Sequence, residues 1–140
     1  MLVIGRREFV DFPELKLFQL EAKIDTGAYT TALHCHSIRV NKEDNKHVLY
    51  FKLLDPVHPE YNNRTFRYEE YSKKIIKNSF GEKEERYIIK ALIVIAGKRI
   101  KSSISLSDRA NMKYPVLIGR KLIRGKFIVD VKKLHTKGID

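Results

Sequence analysis

Alternating apolar and polar residues in short segments constrain this chain to a β-rich fold. In residues 17–25 (LFQLEAKID), the side chains of Leu20, Ala22 and Ile24 lie on one face, and charged residues separate them. A period of two residues is typical of a strand with one buried face. Asp25 is therefore expected to leave the strand on its polar side, directly before a Thr-Gly pair.

Further segments of similar character extend the β interpretation along the chain. The predicted strands are residues 47–54, 65–77, 86–96, 99–106, 114–118 and 127–131. Residues 78–83 contain an Asn and a Gly, and residues 97–98 begin with a Gly, both typical of hairpin tips. Residues 120–124 lie between two glycines and predict one or two helical turns. We expect an all-β fold with one short C-terminal helix and a frayed tail from residue 132.

Length and composition favour one folded domain over residues 1–140. The hydrophobic fraction is 43%, which is typical of a globular rather than a disordered chain. A single cysteine excludes an internal disulfide, so we expect a reducing, cytoplasmic compartment. No apolar run resembles a signal peptide or a membrane span, so we expect no membrane association.

The chain is strongly basic. It carries 28 Lys and Arg residues against 17 Asp and Glu residues, a formal net charge of +11. An excess of this kind favours anionic partners such as nucleic acid, acidic lipid surfaces or an acidic polypeptide. A solvated, charged surface explains the same composition, so the charge alone leaves the choice open.

The triplet Asp25-Thr26-Gly27 is the first candidate for chemistry. Alone it is weak evidence, because Asp and Gly are ordinary turn residues. Its context is more informative, since an apolar strand precedes it and small or hydroxylated residues follow it. Much later the chain contains VLIGRKLI (residues 116–123), an apolar strand, a glycine and a short helix. The combination resembles the retropepsin-like aspartic peptidases.

Four segments make the resemblance closer. They are GRREFV near the start, AKIDTGAYTTALH, NSFGEKEERYII and SDRANMKYPVLIGRKLI. In this order they resemble the RimK-associated family of retropepsin-like peptidases, which also goes by the name ATP-dependent zinc protease. The resemblance runs from about Gly5 to Asp130 and is weakest over residues 55–72. It implies a closed, retropepsin-like β-barrel.

The resemblance also implies roles for individual residues. Asp25 would be the catalytic aspartate, Thr26 would brace two active-site loops through its hydroxyl, and Gly27 would let the backbone turn tightly against the substrate. The hairpin tip would be a flap that closes over the substrate. The implied substrate-binding residues are Ala28, Asn78, Ser79, Phe80, Gly81 and Arg120.

Two positions depart from the retroviral members of the superfamily. Tyr29 replaces an acidic residue just after the Asp-Thr-Gly-Ala stretch, so Arg120 lacks the carboxylate expected there and its partner is not identified by the sequence. Phe80 makes the flap tip bulkier than a glycine-rich one.

One Asp-Thr-Gly triplet predicts that the chain works as a pair. Hydrolysis by aspartates requires two neighbouring carboxylates that share one proton, because like charges a few ångströms apart do not both ionise. The chain supplies one such triplet and is too short for two lobes. We therefore expect a C2 homodimer with the active site on the symmetry axis.

The sequence His34-Cys35-His36 raises the possibility of a metal site. The two imidazoles would lie on the same side of a strand, but zinc requires three or four ligands and neither HExxH nor CxxC spacing occurs. We therefore expect no metal and no cofactor, and a structural or near-site hydrogen-bonding role for His34.

Two functional hypotheses remain. The first is a homodimeric aspartic endopeptidase acting on glutamate-rich peptides, because the resemblance implies a link to RimK-type ATP-grasp ligases, which add glutamates. The basic residues expected to attract such a substrate are Lys73, Lys74, Lys77, Arg86 and Arg120.

The second hypothesis is a basic β-domain that binds RNA or the ribosome without catalysis. Aromatic residues that interleave with lysines and arginines are typical of base-stacking surfaces, although such residues also form sheet cores. The aromatic residues concerned are Tyr50, Phe51, Phe66, Tyr68 and Tyr71.

Overall fold

The computed structural model describes residues 1–54, 58–59, 61–77, 81–108 and 113–138. Within these residues the chain is mostly strand, with one short α-helix near the C-terminus, as the sequence predicted. The strands are β1 (Leu2–Ile4), β2 (Arg7–Phe12), β3 (Leu17–Ile24), β4 (Thr31–Glu43), β5 (Lys46–Leu53), β6 (Thr65–Tyr68), β7 (Ser72–Lys77), β8 (Lys83–Ile95), β9 (Lys98–Ser107), β10 (Val116–Ile118) and β11 (Phe127–Val129). The helix α1 spans Arg120–Ile123, and a 3-10 turn spans Pro13–Leu15.

Six of these strands form a closed ring of hydrogen-bonded neighbours. Their order is β10–β3–β2–β8–β9–β4. The ring closes at β10, where Val116 lies opposite Ala22 of β3 in a parallel pair and opposite Leu33 of β4 in an antiparallel pair. The predicted closed, all-β architecture is confirmed, and the short strand β10 joins its two ends.

Three of the remaining strands extend this ring, and two form a separate sheet. β5 pairs with β4, β6 pairs with β5, and β7 pairs with β8. β1 and β11 form a separate two-stranded parallel sheet, in which Leu2 lies opposite Phe127. The two ends of the described chain therefore meet beside the ring.

Period-two alternation accounts for the core. Leu20, Ala22 and Ile24 of β3 are all buried, as their spacing predicted. Apolar residues of the other ring strands meet them in a single cluster. Burial of side chains as large as Leu20 and Ile24 stabilises the fold by roughly 1.5–3 kcal/mol each.

Residues 65–77 do not form the single strand that the sequence predicted. Residues 69–71 interrupt it, leaving β6 and β7 as separate strands. The reason is topological, because β6 pairs with β5 whereas β7 pairs with β8, so the chain must change partner between them.

The C-terminal tail is also not frayed, contrary to expectation. The Arg6 N–H donates to the carbonyl oxygen of Lys133 at 2.9 Å, and the His135 N–H donates to that of Arg7 at 2.9 Å. Long-range backbone hydrogen bonds of this kind fix the tail against the start of β2. The prediction of a frayed tail was wrong because the tail has a polar sequence and its hydrogen-bond partners lie near the start of the chain.

Glu8 is the residue that fastens this tail. Its side chain is 1% exposed, and its carboxylate accepts hydrogen bonds from the N–H groups of Gly5, Thr136 and Lys137 and from the Thr136 hydroxyl, at 2.7–3.1 Å. Burial by itself raises the pKa of Glu8, but these four hydrogen bonds outweigh it and hold the pKa below its ordinary value. The buried carboxylate is therefore ionised at neutral pH and structural.

No helix within the described ranges is long and apolar enough to cross a membrane.

Candidate active site

The Asp25 loop begins where β3 leaves the ring. The Asp25 N–H donates to the carbonyl oxygen of Ile118 in β10 at 2.8 Å. One carboxylate oxygen, Oδ1, accepts a hydrogen bond from the N–H of Gly27 at 3.0 Å, and the Ala28 N–H donates to the Asp25 carbonyl oxygen at 3.2 Å. These contacts make a tight turn whose position is fixed by β10.

Gly119 lies directly beneath this loop. Its N–H donates to the hydroxyl oxygen of the buried Thr31 at 3.1 Å. A Cβ atom at residue 119 would lie 2.6 Å from the carbonyl oxygen of Tyr29 and 2.7 Å from the carbonyl carbon of Thr30. Only glycine therefore allows β10 to approach the loop so closely. Sequence reasoning missed the role of Thr31, for which the only signal was a hydroxyl at the start of a buried strand.

Arg120 completes the support of the loop. Its Nη1 donates to the carbonyl oxygen of Thr26 at 2.9 Å, and its backbone N–H donates to that of Ala28 at 2.8 Å. The guanidinium carbon also lies 5.8 Å from the centroid of the Tyr29 ring. The partners that the sequence left unidentified are thus a backbone carbonyl and an aromatic face. Tyr29, at the position of the missing carboxylate, still contacts Arg120.

The loop faces outward. Asp25 is partly buried, whereas Thr26 and Gly27 are exposed and Tyr29 is 50% exposed. A shallow groove of about 340 Å³ lies beside it. The groove is lined by Thr26, Tyr29, Arg120, Ile123 and Arg124.

The structure therefore brings together Asp25, Thr26, Gly27, Ala28 and Arg120, five of the predicted site residues. The predicted flap corresponds to the hairpin of β7 and β8, in which Lys77 pairs with Lys83. Gly81 lies in that hairpin with a φ of +79°, a conformation that favours glycine. Asn78, Ser79 and Phe80 lie outside the described residues.

The basic residues of the flap arm are partly neutralised. The Lys73 ammonium lies 3.6 Å from the Glu85 carboxylate, and Arg86 Nε lies 3.5 Å from that of Glu84. Of the residues expected to attract an acidic substrate, these two therefore already face carboxylates. Lys74 is exposed, and the side chain of Lys77 lies outside the described residues.

The histidines of the opening motif lie in β4, near its pairing with β5. His34 is 6% exposed, and its Nδ1 has no hydrogen-bond partner among the described residues. The Nδ1–H of His36 donates to the carbonyl oxygen of Leu54 at 2.7 Å. Cys35 points into the core, and this burial raises the pKa of its thiol. The described part of the chain contains no group of three or more His, Cys, Asp or Glu side chains arranged to hold a metal.

Several aromatic residues of the RNA-binding hypothesis contact one another. Phe51 is fully buried, and its ring centroid lies 5.8 Å from that of Phe66 and 5.6 Å from that of Tyr68. Tyr71 meets Tyr87 edge to face at 5.8 Å. These rings contact one another within the protein, which favours the core interpretation over a base-stacking surface.

Comparison with known families agrees with this geometry. Residues 3–138 match the model of the RimB-like family, described as retropepsin-like aspartic endopeptidase RimB. The chain belongs to the RimB-like family. The predicted relationship to retropepsin-like peptidases is therefore confirmed over nearly the whole chain.

Curated relatives of this RimB-like chain carry a different name. Proteins of Shewanella halifaxensis and Shewanella pealeana, each named probable alpha-L-glutamate ligase, are 34% and 33% identical over 140 residues. A protein of the same name from Desulfotalea psychrophila is 31% identical over 132 residues, which is 91% of this chain. The chain spans only 28–30% of the length of these relatives.

A solved structure shares the fold. A Legionella pneumophila protein of unknown function superposes with a TM-score of 0.75 and 24% sequence identity. The match covers 97% of this chain and 98% of the other. At this identity the likeness concerns the fold alone.

Proposed function

We propose that two copies of this chain form an aspartic endopeptidase in which each copy contributes Asp25. The observation that carries the proposal is an exposed Asp-Thr-Gly loop held by β10 and by Arg120. Membership of the RimB-like family supports the same chemistry. The proposal treats residues 1–140 as one catalytic domain, and a cytoplasmic location stays a prediction.

The chemistry follows from the pairing of two carboxylates. One carboxyl group keeps the shared proton and polarises the scissile carbonyl oxygen, while the other, ionised, takes a proton from a water molecule. The water oxygen then attacks the carbonyl carbon, and the carbonyl oxygen takes the shared proton to give a neutral gem-diol. The C–N bond breaks as the second carboxyl group passes the proton from water to the amine nitrogen and the first regains a proton from the gem-diol, which restores the pair. The tight turn from Asp25 to Ala28 is suited to this task because it orients the carboxylate with a backbone hydrogen bond from Gly27.

The second copy would cover the exposed face of the loop. Thr26 is exposed, and its hydroxyl is available to brace the loop of the other copy. The groove beside it, with Tyr29 and Ile123 in its wall, offers apolar surface for an isologous contact. Homodimer formation is therefore part of the proposal, and a monomer of this chain is expected to be inactive.

The proposed substrate is a glutamate-rich peptide. The net charge of +11 would concentrate such a polyanion, and relatives that contain a similar region are named probable alpha-L-glutamate ligase. We also propose a functional link between this chain and a RimK-type ligase. The proposed substrate-binding residues are Ala28, Asn78, Ser79, Phe80, Gly81 and Arg120.

The test is direct cleavage. Purified protein is incubated with oligo-α-glutamate and glutamate-tailed peptides, and products are detected by mass spectrometry. Wild type should release shorter peptides, Asp25→Asn should release none while keeping the same oligomeric state, and chelators should have no effect. Cleavage that persists in Asp25→Asn, or no cleavage by wild type of any acidic peptide, would reject the proposal.

A further inference from the structure

A basic groove is lined by residues of β8, β9 and helix α1, and none of its lining residues belongs to the Asp25 loop. Two adjoining hollows of about 500 and 480 Å³ share Lys90, Lys101 and Ser103 in their walls. The second hollow adds Lys121 and Lys126 from α1 and the turn after it. We call the surface formed by Lys90, Lys101, Lys121 and Lys126 the lysine groove.

Most of the charge in this groove is not neutralised within the chain. Among the described residues, Lys90, Lys121 and Lys126 form no ion pair with a carboxylate, and the ammonium group of Lys121 donates to the Ser103 hydroxyl at 3.2 Å. Lys101 alone faces a carboxylate, that of Glu14 at 3.8 Å. This contrasts with the flap arm, where Lys73 and Arg86 are paired. Glu14 and Glu70 line the first hollow, whereas no carboxylate lines the second among the described residues. The local excess of positive charge that an anionic ligand would offset is therefore largest in the second hollow.

Glu14 indicates which anion fits. One of its carboxylate oxygens accepts a hydrogen bond from the N–H of Leu92 at 2.7 Å, while the other faces Lys101. A glutamate side chain thus already occupies one end of the groove, held by a backbone donor and an ammonium group. The remaining lysines offer the same kind of contact to carboxylates of another chain.

The groove also offers main-chain hydrogen bonds. β8 pairs with β9 from Lys98 to Leu106, but β4 pairs with the other side of β9 only from Ile104 to Ser107. Within the described chain, no strand pairs with that second side over residues 98–103. An extended peptide could add there as a further strand, which is a common mode of peptide recognition.

We propose that the lysine groove is an exosite that binds the acidic segment of a peptide substrate beside the catalytic centre, an inference that rests on the proposed peptidase function. The geometry ties the groove to the site: Arg120 binds the Thr26 carbonyl oxygen, and the next residue, Lys121, lines the groove. A glutamate-rich peptide bound along β9 would therefore run close to the Asp25 loop.

The observations favour a peptide over a nucleic acid. Base recognition needs free aromatic faces, whereas the tyrosines at the far end of the groove, Tyr68 and Tyr71, are engaged with Phe51 and Tyr87. A free strand edge serves a polypeptide backbone, which has matching donors and acceptors, and a phosphodiester backbone has no N–H donors to match it.

Binding is tested apart from catalysis by using Asp25→Asn as the parent protein. The probe is fluorescein-labelled oligo-α-glutamate of about eight residues, long enough to extend along the edge of β9, and affinity is measured by anisotropy at low ionic strength. The test variant is Lys90→Gln/Lys121→Gln/Lys126→Gln. The control, Lys42→Gln/Lys132→Gln/Lys137→Gln, removes the same charge from exposed lysines away from the groove, the flap and the Asp25 loop.

The proposal predicts that the groove variant binds at least about tenfold more weakly than the parent, whereas the control changes by about twofold or less. Equal losses in both variants would overturn it, since only net charge would then matter. Unchanged peptide binding with loss of binding to a single-stranded RNA probe would overturn it in favour of a nucleic acid. Self-association of the groove variant with unchanged affinity would also overturn it, because the lysines would then serve only to protect the strand edge.

A cleavage assay separates this inference from the peptidase proposal. In a catalytically active background, the groove variant should raise KM for a long glutamate-tailed peptide with little change in kcat. If no protein cleaves any peptide but the groove variant still loses binding, the peptidase proposal fails and the acidic-peptide site stands.

Discussion

Arg120 Nη1 and the carbonyl oxygen of Thr26 lie 2.9 Å apart, and this hydrogen bond connects helix α1 to the middle of the candidate catalytic triplet. A charged donor on a neutral carbonyl forms a stronger bond than two neutral groups do. Because Arg120 also lies against the Tyr29 ring, one side chain contacts the Asp25 loop at both Thr26 and Tyr29.

Removing the hydrogen bond between Arg120 and Thr26 should disorder the Asp25 loop and leave the rest of the fold largely unchanged. Arg120→Ala is expected to cost about 1 kcal/mol in the free energy of unfolding, because the bond is exposed to solvent. Misplacement of Asp25 is expected to lower kcat by up to about a hundredfold. Arg120→Lys should recover little, since lysine lacks the planar group that lies against Tyr29. Urea unfolding measures the change in the free energy of unfolding, and the kinetics of peptide cleavage measure the change in kcat.

Arg99→Ala is the matched control for that experiment. Arg99 is exposed on β9, and its loss should alter neither the free energy of unfolding nor kcat appreciably. If Arg120→Ala behaves like Arg99→Ala in both measurements, the bracing role of Arg120 is wrong.

Gly119→Ala should destabilise the protein by roughly 2–3 kcal/mol, because the added methyl group would lie 2.6 Å from the Tyr29 carbonyl oxygen. Gly97→Ala provides the comparison, since Gly97 has a φ of +77° and nothing within 4 Å of an added Cβ. Backbone strain alone should cost it about 1–2 kcal/mol. Chemical denaturation of both variants decides the matter, and a cost for Gly119→Ala no larger than that for Gly97→Ala would refute the close approach of β10 to the loop.

Ionisation of Glu8 should make the free energy of unfolding depend on pH. Its folded-state pKa lies below the ordinary 4.5, so the folded protein binds this proton less readily than the unfolded chain does. The stabilisation is therefore present above about pH 4.5 and is lost as the pH falls through the folded-state pKa. Glu8→Gln should cost roughly 1–3 kcal/mol at pH 7 and less in acid.

Urea unfolding at pH 7 and at pH values below the ordinary pKa of Glu8 measures this dependence. The exposed Glu70→Gln serves as the control and should be nearly neutral throughout. A Glu8→Gln cost that is the same at every pH would show that the ionised carboxylate does not fasten the tail.

Cys35 should resist alkylation in the folded protein. Its thiol is fully buried, and burial raises its pKa, so little reactive thiolate forms. Iodoacetamide at mildly alkaline pH should leave the native protein unmodified and should label it completely in urea, as read by intact mass. Rapid labelling without denaturant would contradict the placement of Cys35 in the core.

The sequence predicted strands such as β3, whose alternation is local, but it did not predict β2, which alternates in the same way. Leu20, Ala22 and Ile24 alternate with charged residues, and burying that face requires no knowledge of distant partners. The period-two rule could also have found Glu8, which shares a face with the buried Val10 and Phe12. A charged residue at that position conceals the pattern, because carboxylates are rarely buried.

The parts that failed depend on contacts between distant segments. The tail is ordered by Glu8, more than a hundred residues earlier, and the break between β6 and β7 reflects a change of pairing partner. The contact of Arg120 with Thr26 likewise joins residues 94 positions apart. Spacing identified the residues of the candidate site but not the backbone carbonyl that Arg120 would bind.

The central claim is that one active site is built from two chains, and mixed dimers test it most directly. Wild type and Asp25→Asn are unfolded together, refolded at varied ratios, and assayed on a glutamate-rich peptide at constant total protein. If each site needs Asp25 from both copies, activity should follow the square of the wild-type fraction, reaching about a quarter at equal amounts. Activity that falls in proportion to the wild-type fraction, to about half at equal amounts, would mean that each chain works alone and would contradict the account.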